Sequence, residues 1–218
     1  MILIGFFCCT KPKNCPSYFK IPSKILPAIS TYKIGDTITI ISKFHRSVPS
    51  YSLENLDTGK KDMSGIKWKP RSAIYRIDSL DFPNNVEYSD FEKNFHFVND
   101  KSYNYKIFKF SDNSSSLIGE YNYSNDTFSL SYKILALKAG TYYLESGSDN
   151  YPGVVDQQDY PGKCHGVGFE VYIDMNKNTN NNINFLKESP DYHWNTWIFK
   201  DTTGRFNKFG GYCFKVKP

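Results

Sequence analysis

Phe128-Ser129-Leu130-Ser131-Tyr132-Lys133-Ile134 alternates apolar and polar side chains without a break, and Leu137-Lys138-Ala139-Gly140-Thr141-Tyr142-Tyr143-Leu144 follows at once. Period-two alternation places every second residue on one face, as a half-buried β-strand requires. The Ala139-Gly140 pair supplies a turn into a second strand. Outward from this pair the same signal recurs. Gly35-Asp36 is a turn before the alternating Thr37-Ile38-Thr39-Ile40. Further strands are predicted at Ser72–Ile77, Tyr103–Phe110, Val167–Ile173 and Tyr212–Val216. Short alternating runs punctuated by turn residues define an all-β chain. Aromatic residues, 17% of the total, suit pleated surfaces.

The turn leading into Thr141-Tyr142-Tyr143-Leu144 resembles the penultimate strand of immunoglobulin-like domains. That resemblance implies an antiparallel β-sandwich over about residues 31–174. It also implies a corner tyrosine, Tyr142 or Tyr143, whose hydroxyl bonds back to the backbone. The inter-sheet cysteine pair of antibody domains is missing, and so is the central tryptophan unless Trp68 fills that role. Residues 175–218 are expected to form an irregular extension packed on the sandwich.

At the amino terminus, Met1-Ile2-Leu3-Ile4-Gly5-Phe6-Phe7 runs into Cys8-Cys9. An apolar run ending at a cysteine is read as the end of a lipoprotein signal, residues 1–9, with the true start upstream. A small residue should precede the cut, which selects Cys9 as the lipidated residue. Pro12, Pro16, Pro22 and Pro27 mark residues 10–30 as an extended tether. With the Asn-, Lys- and Tyr-rich composition, this layout resembles small envelope lipoproteins of Bacteroidota. The resemblance implies a lipid anchor in the outer membrane, and Lys11 and Lys13 in place of acidic residues imply that it faces the periplasm.

The net charge of +5 is spread over scattered lysines. A nucleic-acid binder gathers its positive charge on one face or arm, so that class of partner is not expected. An oxidising compartment favours cysteine pairing. Cys164 and Cys213 both fall on the off-core parity of their strands, which predicts a Cys164–Cys213 disulfide and leaves Cys15 unpaired in the tether.

Four stretches carry candidate chemistry. Asp174-Met175-Asn176-Lys177-Asn178 spaces oxygen ligands like a calcium loop, but lacks the glycine and the closing acid, so a polar turn is expected. Cys164-His165 with His193 and Cys213 matches no zinc spacing, and no metal or cofactor is expected. Cys164 lacks any nucleophile signature. Asp156 and Asp159 lie in the 147–162 loop, the place a hydrolase would use. Asp191-Tyr192-His193-Trp194-Asn195-Thr196-Trp197 is the densest aromatic segment, and Tyr192, Trp194 and Trp197 are the candidate ligand-binding residues. The competing reading makes Trp194 or Trp197 a plug holding the extension to the sandwich. The leading expectation is a non-enzymatic lipoprotein that binds another protein, as an accessory subunit of an outer-membrane assembly. The alternatives are a glycan-binding module using residues 191–197 and a hydrolase using the 147–162 loop.

Overall fold

Burying the apolar faces of so many alternating strands takes two sheets stacked face to face, and the computed structural model has them. It describes residues 15–52, 56–80, 91–98, 101–110, 114–147, 169–179 and 181–218. The strands are β1 (Tyr18–Leu26), β2 (Thr31–Lys33), β3 (Thr37–His45), β4 (Ser47–Tyr51), β5 (Asp57–Asp62) and β6 (Arg71–Arg76). A single helical turn, α1 (Phe91–Asn94), precedes β7 (Phe95–Val98), β8 (Asn104–Lys109) and β9 (Ser115–Glu120). Then come β10 (Asn122–Ser124), β11 (Thr127–Ala136), β12 (Gly140–Gly147) and β13 (Glu170–Met175). After α2 (Asn184–Lys187) and two π-helical segments, β14 (Tyr212–Lys217) closes the chain.

One sheet runs β10-β11-β3-β1-β4-β5, with β13 added to β1 and β7 to β11; the other runs β2-β14-β12-β6-β9-β8. The protein is an all-β sandwich. The stretch that decided the fold behaves as its pattern demands: Phe128, Leu130, Tyr132, Ile134 and Ala136 are buried along β11. Tyr132 pairs with Ile40 and Ile134 with Ile38 on β3. Between the sheets these residues meet Ile74, Tyr142, Leu144, Phe214 and Val216 of the second sheet. Tyr142 is the corner tyrosine, its hydroxyl donating to the Lys138 carbonyl at 3.1 Å.

The tether over residues 10–30 is overturned from Tyr18 onward. β1 lies inside its sheet, with Phe19, Ile21 and Ile25 fully buried. It pairs in parallel with β13 over Tyr18–Ser23, and antiparallel with β4 at Tyr18 and Phe19 and with β3 at Lys24–Leu26. Pro22 falls in the gap between the β4 and β3 pairings, so no ladder bond calls for its missing N–H. Its carbonyl accepts from the Ser42 hydroxyl. The sandwich therefore begins near residue 18 and not at 31. Trp68 is buried in a second core region, edge-on to Phe19, Phe44 and Phe128, outside any strand.

The cysteine expectations fail as well. Cys213 is a free, fully buried thiol, so the Cys164–Cys213 bridge is not formed. Cys15, expected to be unpaired, is disulfide-bonded. Parity did put Cys213 on the face of β14 away from the inter-sheet core. That face is covered by protein instead of solvent, and burial pushes the thiol pKa up. Cys9, Cys164, Asp156 and Asp159 lie outside the described residues.

The cover is the chain between β13 and β14. It starts with a left-handed turn in which Asn176, Lys177 and Asn178 have φ of 50°, 57° and 52°, a region asparagine tolerates better than most residues. Asn176 Oδ1 accepts the Ile25 N–H and its Nδ2 donates to Asn181 Oδ1, so the polar turn expected at residues 174–178 ties β13 to β1. β14 itself is a full member of the second sheet, between β2 and β12, and only residues 176–211 form the extension. Return from the cover to β14 depends on Gly210 and Gly211. A Cβ on Gly210 (φ +59°) would lie 2.6 Å from Ile173 Cγ2, and one on Gly211 2.7 Å from the Phe206 carbonyl oxygen.

Candidate functional site

Along β12, Tyr142 and Leu144 face the inter-sheet core, so Tyr143 and Glu145 face the other way. Tyr143 pairs with Tyr75 of β6. The outer face of the second sheet thus presents two tyrosines and a carboxyl side by side. Onto it the cover lays Leu186, Trp194, Ile198 and Phe206, forming a third core region with Ile77, Tyr143 and Cys213.

Polar capping holds the cover in place. Ser189 Oγ donates to the Ile77 carbonyl at 2.6 Å, and Asn195 Nδ2 donates to the Ser189 carbonyl at 2.9 Å. Asp191 Oδ1 accepts the His193 N–H at 2.8 Å, capping the first exposed amides of the turn that follows. That turn, His193–Ile198, is π-helical, a wide geometry often found where side chains are re-aimed for function.

Beneath the π-helical turn is a cavity of about 270 Å³. Tyr75, Tyr143 and Glu145 line it from the sheet, and His193, Trp194, Trp197, Ile198, Arg205 and Phe209 from the cover. Small-ligand pockets usually span roughly 300–1,000 Å³, so this one has room for about one ring. Trp194 is the plug: it is buried, with its ring centroid 5.3 Å from Tyr75 and 5.6 Å from Tyr143. Trp197 is different. It is 48% exposed, with the Arg205 guanidinium 3.7 Å over its ring and His193 edge-on at 4.7 Å. Tyr192 is exposed and is not among the lining residues. The three predicted ligand-binding residues therefore divide into a plug, a wall and a bystander.

The electrostatics of the cavity are those of a partly dry site. Burial raises the Glu145 pKa, opposed by hydrogen bonds from Tyr75 and Tyr143 and by the charge of Arg71. The Tyr75 hydroxyl donates to Glu145 Oε1 at 2.9 Å and the Tyr143 hydroxyl to Oε2 at 3.3 Å. Both phenol pKa values are pushed well up, chiefly by burial and then by Glu145. Burial lowers the His193 pKa to about 4, against the pull of Asp191 and with the push of Arg205. His193 is accordingly a neutral donor and acceptor at neutral pH.

Tyr75, Tyr143, Glu145 and Arg205 were not foreseen. The shared parity of Tyr143 and Glu145 in β12, opposite to the corner tyrosine, was the signal that could have exposed two of them. Arg205 carries no such signal. Among the described residues no group of three or more His, Cys, Asp or Glu side chains is placed to hold a metal ion. No described helix is long and apolar enough to cross a membrane.

No family model matches the chain, and no curated protein does. Among solved structures, the reeler domain of human F-spondin is similar over 75% of this chain and 97% of its own, at 9% identity and a TM-score of 0.34. A cohesin module from a Clostridium perfringens family 33 glycoside hydrolase covers 72% and 98%, at 11% identity and a TM-score of 0.29. A type II cohesin domain from the cellulosome of Acetivibrio cellulolyticus covers 70% and 91%, at 10% identity and a TM-score of 0.29. Likeness at this level assigns no activity to the chain.

Proposed function

We propose that this is a non-enzymatic binding protein, lipid-anchored at Cys9 in a bacterial cell envelope, whose ligand is a sugar ring seated in the cavity between β6, β12 and the π-helical cover. The observation that carries the reading is Trp197, a half-exposed indole held by Arg205 at the wall of a cavity that also offers Glu145 and neutral His193. Aromatic faces stack on the apolar face of a sugar, and acceptors and donors of both kinds meet its hydroxyls. The anchor rests on the apolar run ending at Cys8-Cys9, and an outer-membrane location on the resemblance of the layout to Bacteroidota envelope lipoproteins.

Titrating the protein with mono- and oligosaccharides while following tryptophan fluorescence tests the site. The reading expects saturable quenching that Trp197→Ala abolishes. No response to any sugar, with one protein co-purifying stoichiometrically from detergent-solubilised membranes, would favour the accessory-subunit reading instead. Mass spectrometry of the amino-terminal peptide from native cells tests the anchor: acylated Cys9 is expected, and an unmodified peptide containing Met1 contradicts it.

A further inference from the structure

The acid in the cavity stands apart from the basic groups around it. Glu145 accepts one tyrosine hydroxyl on each carboxylate oxygen, and each oxygen keeps further acceptor capacity. Among the described residues no Lys or Arg forms an ion pair with it. Arg71, the cation that acts on it, lies 5.7 Å over the Phe110 ring. Arg205 is turned elsewhere: its Nε lies 3.4 Å from Asp201 Oδ2, an ion pair without a hydrogen bond, and its guanidinium stacks on Trp197. Aromatic rings stand around the acid, with Tyr75 and Tyr143 nearly parallel at 6.0 Å and Trp194 tilted against both. Aromatic faces are electron-rich and attract a cation held over them. A partly desolvated carboxylate calls for a partner of opposite charge more than for another hydroxyl.

We propose that the ligand carries a primary amine, bound as an ammonium ion against Glu145 with its carbon frame against the Trp197 wall of the cavity, so that the preferred sugar is an amino sugar. This deepens the sugar-binding reading and rests on it.

Calorimetric titration of the full chain at neutral pH with glucosamine, N-acetylglucosamine and glucose separates the two claims. A charge-assisted hydrogen bond should favour glucosamine over glucose by about tenfold or more. N-acetylglucosamine, which has lost the charge, should fall to the level of glucose. Glu145→Gln should erase the preference, bringing glucosamine down to the level of glucose in the same variant. The acetylated-ligand comparison uses the native protein and stands even where that variant fails to fold. Equal binding of glucosamine and glucose would overturn the amine proposal and leave the sugar site intact. Absence of binding by all three sugars would overturn both.

Discussion

Replacing Phe19 by alanine tests whether the proline-rich amino-terminal stretch is structure or tether. Phe19 is fully buried in β1, with its ring edge-on to Phe169 at 5.0 Å and to Trp68 at 6.1 Å. Truncating a core phenylalanine costs about 3–5 kcal/mol, the transfer of the ring plus the cavity it leaves. Domains of this kind are stable by about 5–15 kcal/mol, so the loss is a large fraction of the total. With a urea slope of about 2 kcal/mol per molar, the unfolding midpoint should fall by about 1.5–2.5 M. Lys24, exposed on the same strand, is the control, and Lys24→Ala should stay within about 0.5 kcal/mol of the native protein. Equilibrium urea unfolding followed by far-UV circular dichroism reads both variants. A Phe19→Ala midpoint within about 0.5 M of the native value would show that β1 contributes no core, and the described sandwich would be wrong.

Two further outcomes follow from the cover. Cys213, fully buried under it with its thiol pKa raised by burial, should resist iodoacetamide in the native state and react in urea without any reductant. A non-reducing digest that finds its peptide joined to another cysteine would contradict this. His193 titrates near 6.5 when unfolded and at about 4 when folded, so the unfolded chain takes up the proton first as pH falls. Its contribution to stability is complete above about 6.5 and is lost between there and about 4. The urea midpoint of His193→Phe should therefore fall less than that of the native protein between pH 7 and pH 4.5, and equal slopes would rule out the buried neutral imidazole.

Period-two patterning made the sandwich legible, because Phe128 to Ile134 and Thr37 to Ile40 each bury one face in the core between the sheets. It failed where a strand is interrupted for a reason outside itself. Pro22 is tolerated only because β4 and β3 leave a gap opposite it, and nothing in the local sequence announces that gap. Parity read Cys213 correctly as off-core but could not tell that the face it points to is covered. The same blindness hid the site. Tyr75, Tyr143 and Glu145 occupy what looks like the solvent side of β6 and β12, and they become a cavity floor only when residues 183–209 fold over them. Trp194 and Trp197 share one aromatic cluster in sequence, yet the π-helical turn sends one into the core and leaves the other at the wall.

The three tryptophans allow the central claim to be read directly. Trp194 and Trp197 line the cavity, whereas Trp68 lies in a different core region beside Phe19 and Phe128. In a ¹H–¹⁵N spectrum of the uniformly labelled protein, adding glucosamine or glucose should shift the indole N–H resonances of Trp197 and Trp194 in a saturable way and leave that of Trp68 in place. Shifts confined to Trp68, or none at saturating sugar, would contradict the cavity as the binding site.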